Sequence, residues 1–156
     1  METNIGIAEN NRLEMAKRLN HTLASEYVLY TKTWKFHWNV EGPHFGALHL
    51  FLDKQVAELA KIIDRVAERV RALGVKTEAT LIEFKEKSSI NEHPGHNPID
   101  LEMLNILLKD HEQIIRQMHE DSDFSTELTD IGTNNLLCDL IEEHEKMAWM
   151  LRAFLP

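Results

Sequence analysis

One cysteine, Cys138, stands in the 156-residue sequence, so no disulfide can form within the chain and an oxidising compartment is not indicated. No apolar run approaches the roughly 18 residues of a membrane span, which excludes a helical membrane protein. The opening METNIGIAEN has neither a basic segment nor an apolar core, so no secretory leader is expected and the expected compartment is the cytoplasm. Positive charge is short as well: 17 Lys and Arg face 26 Asp and Glu, a formal net charge of -9. That balance disfavours general binding to nucleic acid or an anionic surface and favours cations as guests. Internal repeats, low-complexity segments and an alternating strand pattern are all missing.

What is there is helical periodicity, in a chain long enough for one domain that buries roughly 68–70% of its unfolded surface. Residues 1–10 lack periodicity and are expected to be mobile, leaving 11–156 as the folded domain. A first helix is predicted from Asn11, with Glu14 at capping-box spacing, to about Trp38. Its stripe, Leu13, Ala16, Leu19, Leu23, Tyr27, Tyr30 and Trp34, repeats at steps of three and four, and His37 continues it. Gly42-Pro43 marks a turn, and a second helix is predicted from His44 to Leu73, stopped by Gly74. A short helix over Thr77–Lys87, with Leu81, Ile82 and Phe84 as its contacts, precedes a loop, SSINEHPGHNP. Asn97 as N-cap and Pro98 at the first helical position open the third long helix, which fades near Glu120 into an acidic loop, DSDFSTELTDIG. The fourth is predicted over Thr133–Phe154, packing Leu137, Leu140, Ile141, Met147, Leu151 and Phe154. The fold class is therefore all-α, a four-helix bundle with a short extra helix between helices two and three.

On a wheel of 100° per residue with His49 at zero, Leu48, Leu52, Val56, Leu59, Ile63, Val66 and Val70 fall between about -100° and -20°, the predicted core face. His49, Asp53, Asp64 and Glu68 fall between about 0° and 100°, a separate stripe whose gaps hold Gly46, Ala57, Ala60 and Ala67. A solvated polar face with surface ion pairs would have the same spacing, but small residues between potential ligands favour a helix that a neighbour approaches closely. Asp53 and Asp64 lie about 16.5 Å apart along the axis, against metal–ligand bonds of about 2 Å, so His49/Asp53 and Asp64/Glu68 cannot serve one centre within one chain. Two copies of the helix, antiparallel across a two-fold axis, would join each half-site to the other and give two equivalent sites per dimer. Mixed imidazole and carboxylate donors suit iron, zinc or manganese, and the spacing does not choose among them. A di-iron site inside the bundle would need Glu-x-x-His pairs on core faces, and the only such pair, Glu41/His44, spans the Gly42-Pro43 turn.

The run FHWNVEGPHFGALHLFLDKQ, followed by DRVAERVRALG and, near the C-terminus, by EEHEKMAWMLRAFL, resembles the Dps family of miniferritins. The family's ligand pattern is met by His37, His49, Asp53, Asp64 and Glu68, which the resemblance makes both the catalytic and the metal-binding residues. It implies a hollow ferritin-like dodecamer with ferroxidase sites at its two-fold axes. There paired Fe2+ ions, a di-iron centre, would be oxidised to Fe3+, preferentially by hydrogen peroxide, and stored as mineral, protecting against oxidative stress. Zinc or manganese are possible substitutes. Trp38 matches the family's tryptophan beside the site, where it would either intercept oxidising equivalents or simply pack.

The family's DNA binding often uses a basic terminal tail, and residues 1–11 hold Glu2 and Glu9 and no basic residue. Twelve copies would carry roughly -108 in formal charge, so direct DNA binding is not expected unless divalent cations bridge it. The alternative from another class is a non-enzymatic DNA-binding shell with a structural metal site. Glu120, Asp121, Asp123, Glu127 and Asp130 form either a solvated loop or an ion entrance at a three-fold axis, and Asn135 stands where many relatives carry an acid. His111 and His144 are expected to be packed and hydrogen-bonded, and His93 and His96 to lie in a surface loop.

Overall fold

The computed structural model describes residues 3–156; Met1 and Glu2, the start of the segment expected to be mobile, lie outside the described residues. Five helices follow in order: α1 (Glu9–Asn39), α2 (Phe45–Ala72), α3 (Leu81–Lys87), α4 (Asp100–Glu127) and α5 (Ile131–Arg152). Among the described residues there is no strand, and no helix is long and apolar enough to cross a membrane. α1 and α2 form one antiparallel hairpin and α4 and α5 another; α1 joins them by packing on α4, and α3 lies against α1.

The short α1–α2 connection is held by local hydrogen bonds at both ends. Val40 turns extended and buried, its N–H still donating to the Phe36 carbonyl, and Phe45 N–H donates to Gly42, whose φ of 103° suits a residue without a Cβ. The core is a continuous cluster of Leu, Ile, Val and Met from the four long helices with Phe84 from α3. Fully burying one such side chain contributes about 1.5–3 kcal/mol. Charges close the bundle at several heights: Arg18–Asp121 at 2.8 Å, Lys32–Asp110 at 2.6 Å and Arg69–Asp130 at 2.6 Å.

Several expectations need correction. α1 starts at Glu9 behind Ala8, with no side-chain cap, so the Asn11/Glu14 capping box is not used. Leu13 is 49% exposed, because the buried surface of α1 runs instead through Met15, Leu19, Ala24 and Leu29 and wraps around the helix where α2, α3 and α4 all touch it. On α2, Ile62 is fully buried and Ile63 only half so, a core arc turned further from the ligand stripe and including Phe51 and Gln55. α3 is only seven residues long, capped by a Thr80/Glu83 capping box, and buries Phe84 alone, which stacks on Tyr27 at 4.4 Å; Leu81 and Ile82 are exposed.

α4 begins two residues later than predicted. Ile99 is extended at the N-cap, Asp100 opens the helix and Pro98 is buried ahead of it. It also runs on through the supposed acidic loop to Glu127. Asp121 and Asp130, two of the five acids expected there, are 1% exposed and tied to Arg18 and Arg69, while Glu120, Asp123 and Glu127 remain on the surface. α5 starts at Ile131, with the Asp130 carboxylate accepting from the Thr133 N–H, and Phe154 lies beyond its end.

Candidate metal centre

The last turn of α1 and the second turn of α2 meet beside the connection that joins them. His37, buried, and half-buried His49 stack with ring centroids 3.8 Å apart and planes inclined by 22°. His37 Nδ1 lies 2.9 Å from the His49 carbonyl oxygen and His49 Nδ1 lies 3.0 Å from the His37 carbonyl oxygen. A carbonyl can only accept, so both rings must carry a proton on Nδ1, and in the neutral ring this tautomer leaves Nε2 as the lone pair. This is how metal-binding imidazoles are commonly held: the second nitrogen is fixed by a hydrogen bond, and the first is left for the metal.

The neighbours hold the rings in place. Trp34, one turn before His37, meets it edge-on at 5.1 Å and stacks on Trp38, also at 5.1 Å. Phe45, one turn before His49, tilts against that ring at 5.2 Å. At the turn itself His44 donates to the Asp100 carboxylate at 2.9 Å, and this hydrogen bond, with a second from Leu101 N–H, holds the Asp100 carboxyl below the usual carboxylate range. The roles of Phe45 and Trp34 around the pair were not anticipated from sequence. The steps Phe45→His49 and Trp34→His37, four and three residues, carried the signal, since side chains at those spacings share a helix face.

Asp53, Asp64 and Glu68 all stand exposed on α2. Asp53 sits one turn beyond His49, while Asp64 and Glu68 lie about three turns further along the helix. The fold thus brings His37 to His49, with Asp53 one turn further along α2, and leaves Asp64/Glu68 as a separate pair. Among the described residues no three His, Cys, Asp or Glu side chains are grouped so that they could hold a metal ion. Around these residues the surface is apolar where a lone chain would be expected to be polar: Trp38 is 68% exposed, Leu50 64%, and Phe45, Ala57 and Ala60 are exposed too.

A ferritin-like domain model matches residues 16–156. The chain belongs to the ferritin-like Dps family. It is 39% identical over 137 residues to DNA protection during starvation protein 2 of Bacillus anthracis, covering 88% of this chain and 93% of that protein. A low-temperature-induced protein of Nostoc sp. is 40% identical over 97% of this chain and 86% of its own length. Among solved structures, DpsC from Streptomyces coelicolor superposes with a TM-score of 0.95 at 32% identity, over 99% of this chain and 90% of that one. A Dps protein of Vibrio cholerae O1, described as one of a broad superfamily of ferritin-like diiron-carboxylate proteins, superposes with a TM-score of 0.94 at 29% identity, over 100% and 98% of the two chains. The all-α bundle with its short extra helix is the Dps fold.

Proposed function

We propose that this Dps-family chain stores iron and acts as a ferroxidase, oxidising Fe(II) to Fe(III) at sites shared between two subunits. The observation that carries the reading is the His37–His49 pair, whose reciprocal carbonyl hydrogen bonds leave the Nε2 of each neutral ring free, with Asp53 one turn further along α2. Imidazole nitrogens favour Fe(II), and carboxylates hold and charge-balance Fe(III). The donor set in one chain is incomplete, and Asp64 and Glu68 of a second copy, brought up antiparallel, would supply the missing carboxylates. Burial of Trp38, Leu50 and the exposed alanines of α2 gives that approach an apolar driving force.

Iron enters this scheme as substrate. Two Fe(II) held together deliver two electrons to one hydrogen peroxide, which with two protons yields two waters and no hydroxyl radical. His37, His49 and Asp53 hold one side of the pair, and Asp64 and Glu68 of the neighbouring subunit hold the other. Two-fold dimers would assemble further into a hollow cage, a dodecamer on the family pattern, with ferric mineral inside. Such a protein works in the cytoplasm. Zinc or manganese would fit the same donors, and metal analysis of protein purified without added metal tests that occupancy.

Asp64→Ala combined with Glu68→Ala is expected to leave the assembly's native mass unchanged and to slow peroxide-driven Fe(II) oxidation at least tenfold. Oxidation at the wild-type rate would remove these two residues from the site. The name of the Bacillus anthracis relative favours a second reading, a shell that shields DNA. The net charge of -9 works against direct contact with phosphates, and a gel-shift assay across salt concentrations separates the two. Tight, salt-sensitive retention without ferroxidase turnover would support the shell.

A further inference from the structure

Far from the α1–α2 turn, three titratable side chains meet in the buried centre of the bundle. Glu26 comes from α1, His111 from α4 and His144 from α5, and all three are 0% exposed. His111 Nδ1 and His144 Nδ1 are 2.9 Å apart, and His144 Nε2 is 2.9 Å from Glu26 Oε1. The second contact is an ion-pair approach and not an aligned hydrogen bond, because the N–H of His144 does not point at the oxygen. Six buried side-chain polar atoms lack a hydrogen-bond partner among the described residues, and four of them are here: both oxygens of Glu26, His111 Nε2 and His144 Nε2. Buried polar groups are ordinarily paired, so such a concentration calls for an explanation.

A metal is not that explanation. The three groups lie in a line, Glu26, then His144, then His111, with each histidine turning its Nδ1 to the other, and their donors do not converge on one point. What the line can hold is protons. An Nδ1···Nδ1 hydrogen bond exists only while one ring keeps a bare Nδ1. With His111 donating from Nδ1 to His144 Nδ1 and His144 keeping its proton on Nε2, both rings are neutral and the one hydrogen bond of the line is made. A third proton would land on His111 Nε2, where no acceptor faces it. A fourth would set two N–H groups against each other at 2.9 Å.

The geometry points to a proton-sensitive latch: the Glu26–His144–His111 line holds α1 to the α4–α5 hairpin near neutral pH and releases it when the imidazoles are charged. Among the described residues, no charge outside the line is placed to compensate. Lys32 of α1 and Asp110 of α4 pair with each other at 2.6 Å, α2 contributes Gln55 as its only buried polar side chain, and α3 buries only Phe84. The remaining buried charges, Arg12, Asp121 and Asp130, are bound elsewhere, to the Leu73 carbonyl, Arg18 and Arg69. Burial also pushes His111 well below the ordinary histidine range, with His144 adding to the shift. The unfolded chain therefore binds a proton at His111 that the folded chain refuses. Stability falls as the pH drops below about 6.5, by close to tenfold in the folding equilibrium per pH unit and proton.

The test compares urea midpoints of the full-length protein between pH 7.5 and 5.0 for wild type, His111→Gln and the apolar triple Glu26→Leu/His111→Leu/His144→Leu. The expected result is a steep acid loss in wild type that flattens in both variants. Parallel pH profiles would overturn the proposal. Should the variants not fold, hydrogen–deuterium exchange of wild type at pH 7.5 and 5.5, corrected for intrinsic rates, decides the matter. Acid is expected to speed exchange at least fivefold in segments 20–32, 105–117 and 138–150 before the rest of the bundle, and a uniform increase would overturn the latch.

Discussion

Lys32 and Asp110 close a buried pair between α1 and α4, and among the described residues neither has a second ion-pair contact. Burial raises the Asp110 carboxyl above the usual range, with the Lys32 ammonium pulling the other way. Removing the ammonium alone strands the carboxylate, so Lys32→Met is expected to cost about 3–5 kcal/mol at pH 7, whereas Lys32→Met with Asp110→Leu should be close to neutral. In the single variant the folded chain holds a proton on Asp110 more tightly than the unfolded chain does. Its deficit relative to wild type should therefore shrink on acidification from pH 7 to 5, as read from urea midpoints. Nothing in the residue types marked this pair, since Lys32 and Asp110 are 78 positions apart and each reads as a surface charge. The histidine stack at His37 and His49 was half legible: the residues stood out as ligands, but their reciprocal bonds to each other's carbonyls depend on how the α1–α2 turn is built.

Two helix ends show why some boundaries could be read and others could not. α2 and α4 close with the same device, a left-handed residue after the last turn and a hydrogen bond reaching back five residues: Val75 N–H to Val70 O at 3.3 Å, and Asp130 N–H to Ser125 O at 2.9 Å. At α2 the left-handed residue is Gly74, with φ 86°, and its end was predicted within two residues. At α4 it is Thr129, with φ 58°, a β-branched residue where glycine is usual, and the helix was cut about seven residues short. Gly74→Ala is expected to destabilise the protein by about 1–2 kcal/mol, since an added Cβ meets the Thr3 side chain and the Arg12 guanidinium as well as the backbone strain. Thr129→Gly should have the opposite sign, stabilising by up to about 1 kcal/mol once the glycine's extra unfolded entropy is subtracted. Differential scanning calorimetry of the two variants checks both signs. In α3, loss of the Thr80 cap in Thr80→Ala is expected to cost about 1 kcal/mol, read as faster hydrogen exchange over residues 80–88.

For the whole molecule, the proposed shared site makes a prediction that no single-chain site can. A chain carrying His49→Ala/Asp53→Ala and a chain carrying Asp64→Ala/Glu68→Ala should each fail to oxidise iron, but refolding them together restores one intact site in every mixed dimer. Random pairing makes half of the dimers mixed, so ferroxidase activity should return to roughly one quarter of wild type. No recovery, with native mass spectrometry showing mixed dimers, would rule out sites completed across the two-fold. The amino-acid sequence by itself determined the helical class, the number of long helices and the ligand stripe of α2, because periodicity and residue chemistry are local properties written at steps of three and four. It also kept His49/Asp53 away from Asp64/Glu68, since helix rise alone separates them. Only the tertiary structure decided that Asp121 and Asp130 are internal anchors and not surface acids, that Leu13, Leu81 and Ile82 stay outside the monomer core, and that Glu26, His144 and His111 meet in a line. Each of these depends on which face of a helix meets a segment distant in sequence, and that is fixed by how whole helices pack, not by the order of neighbours along the chain.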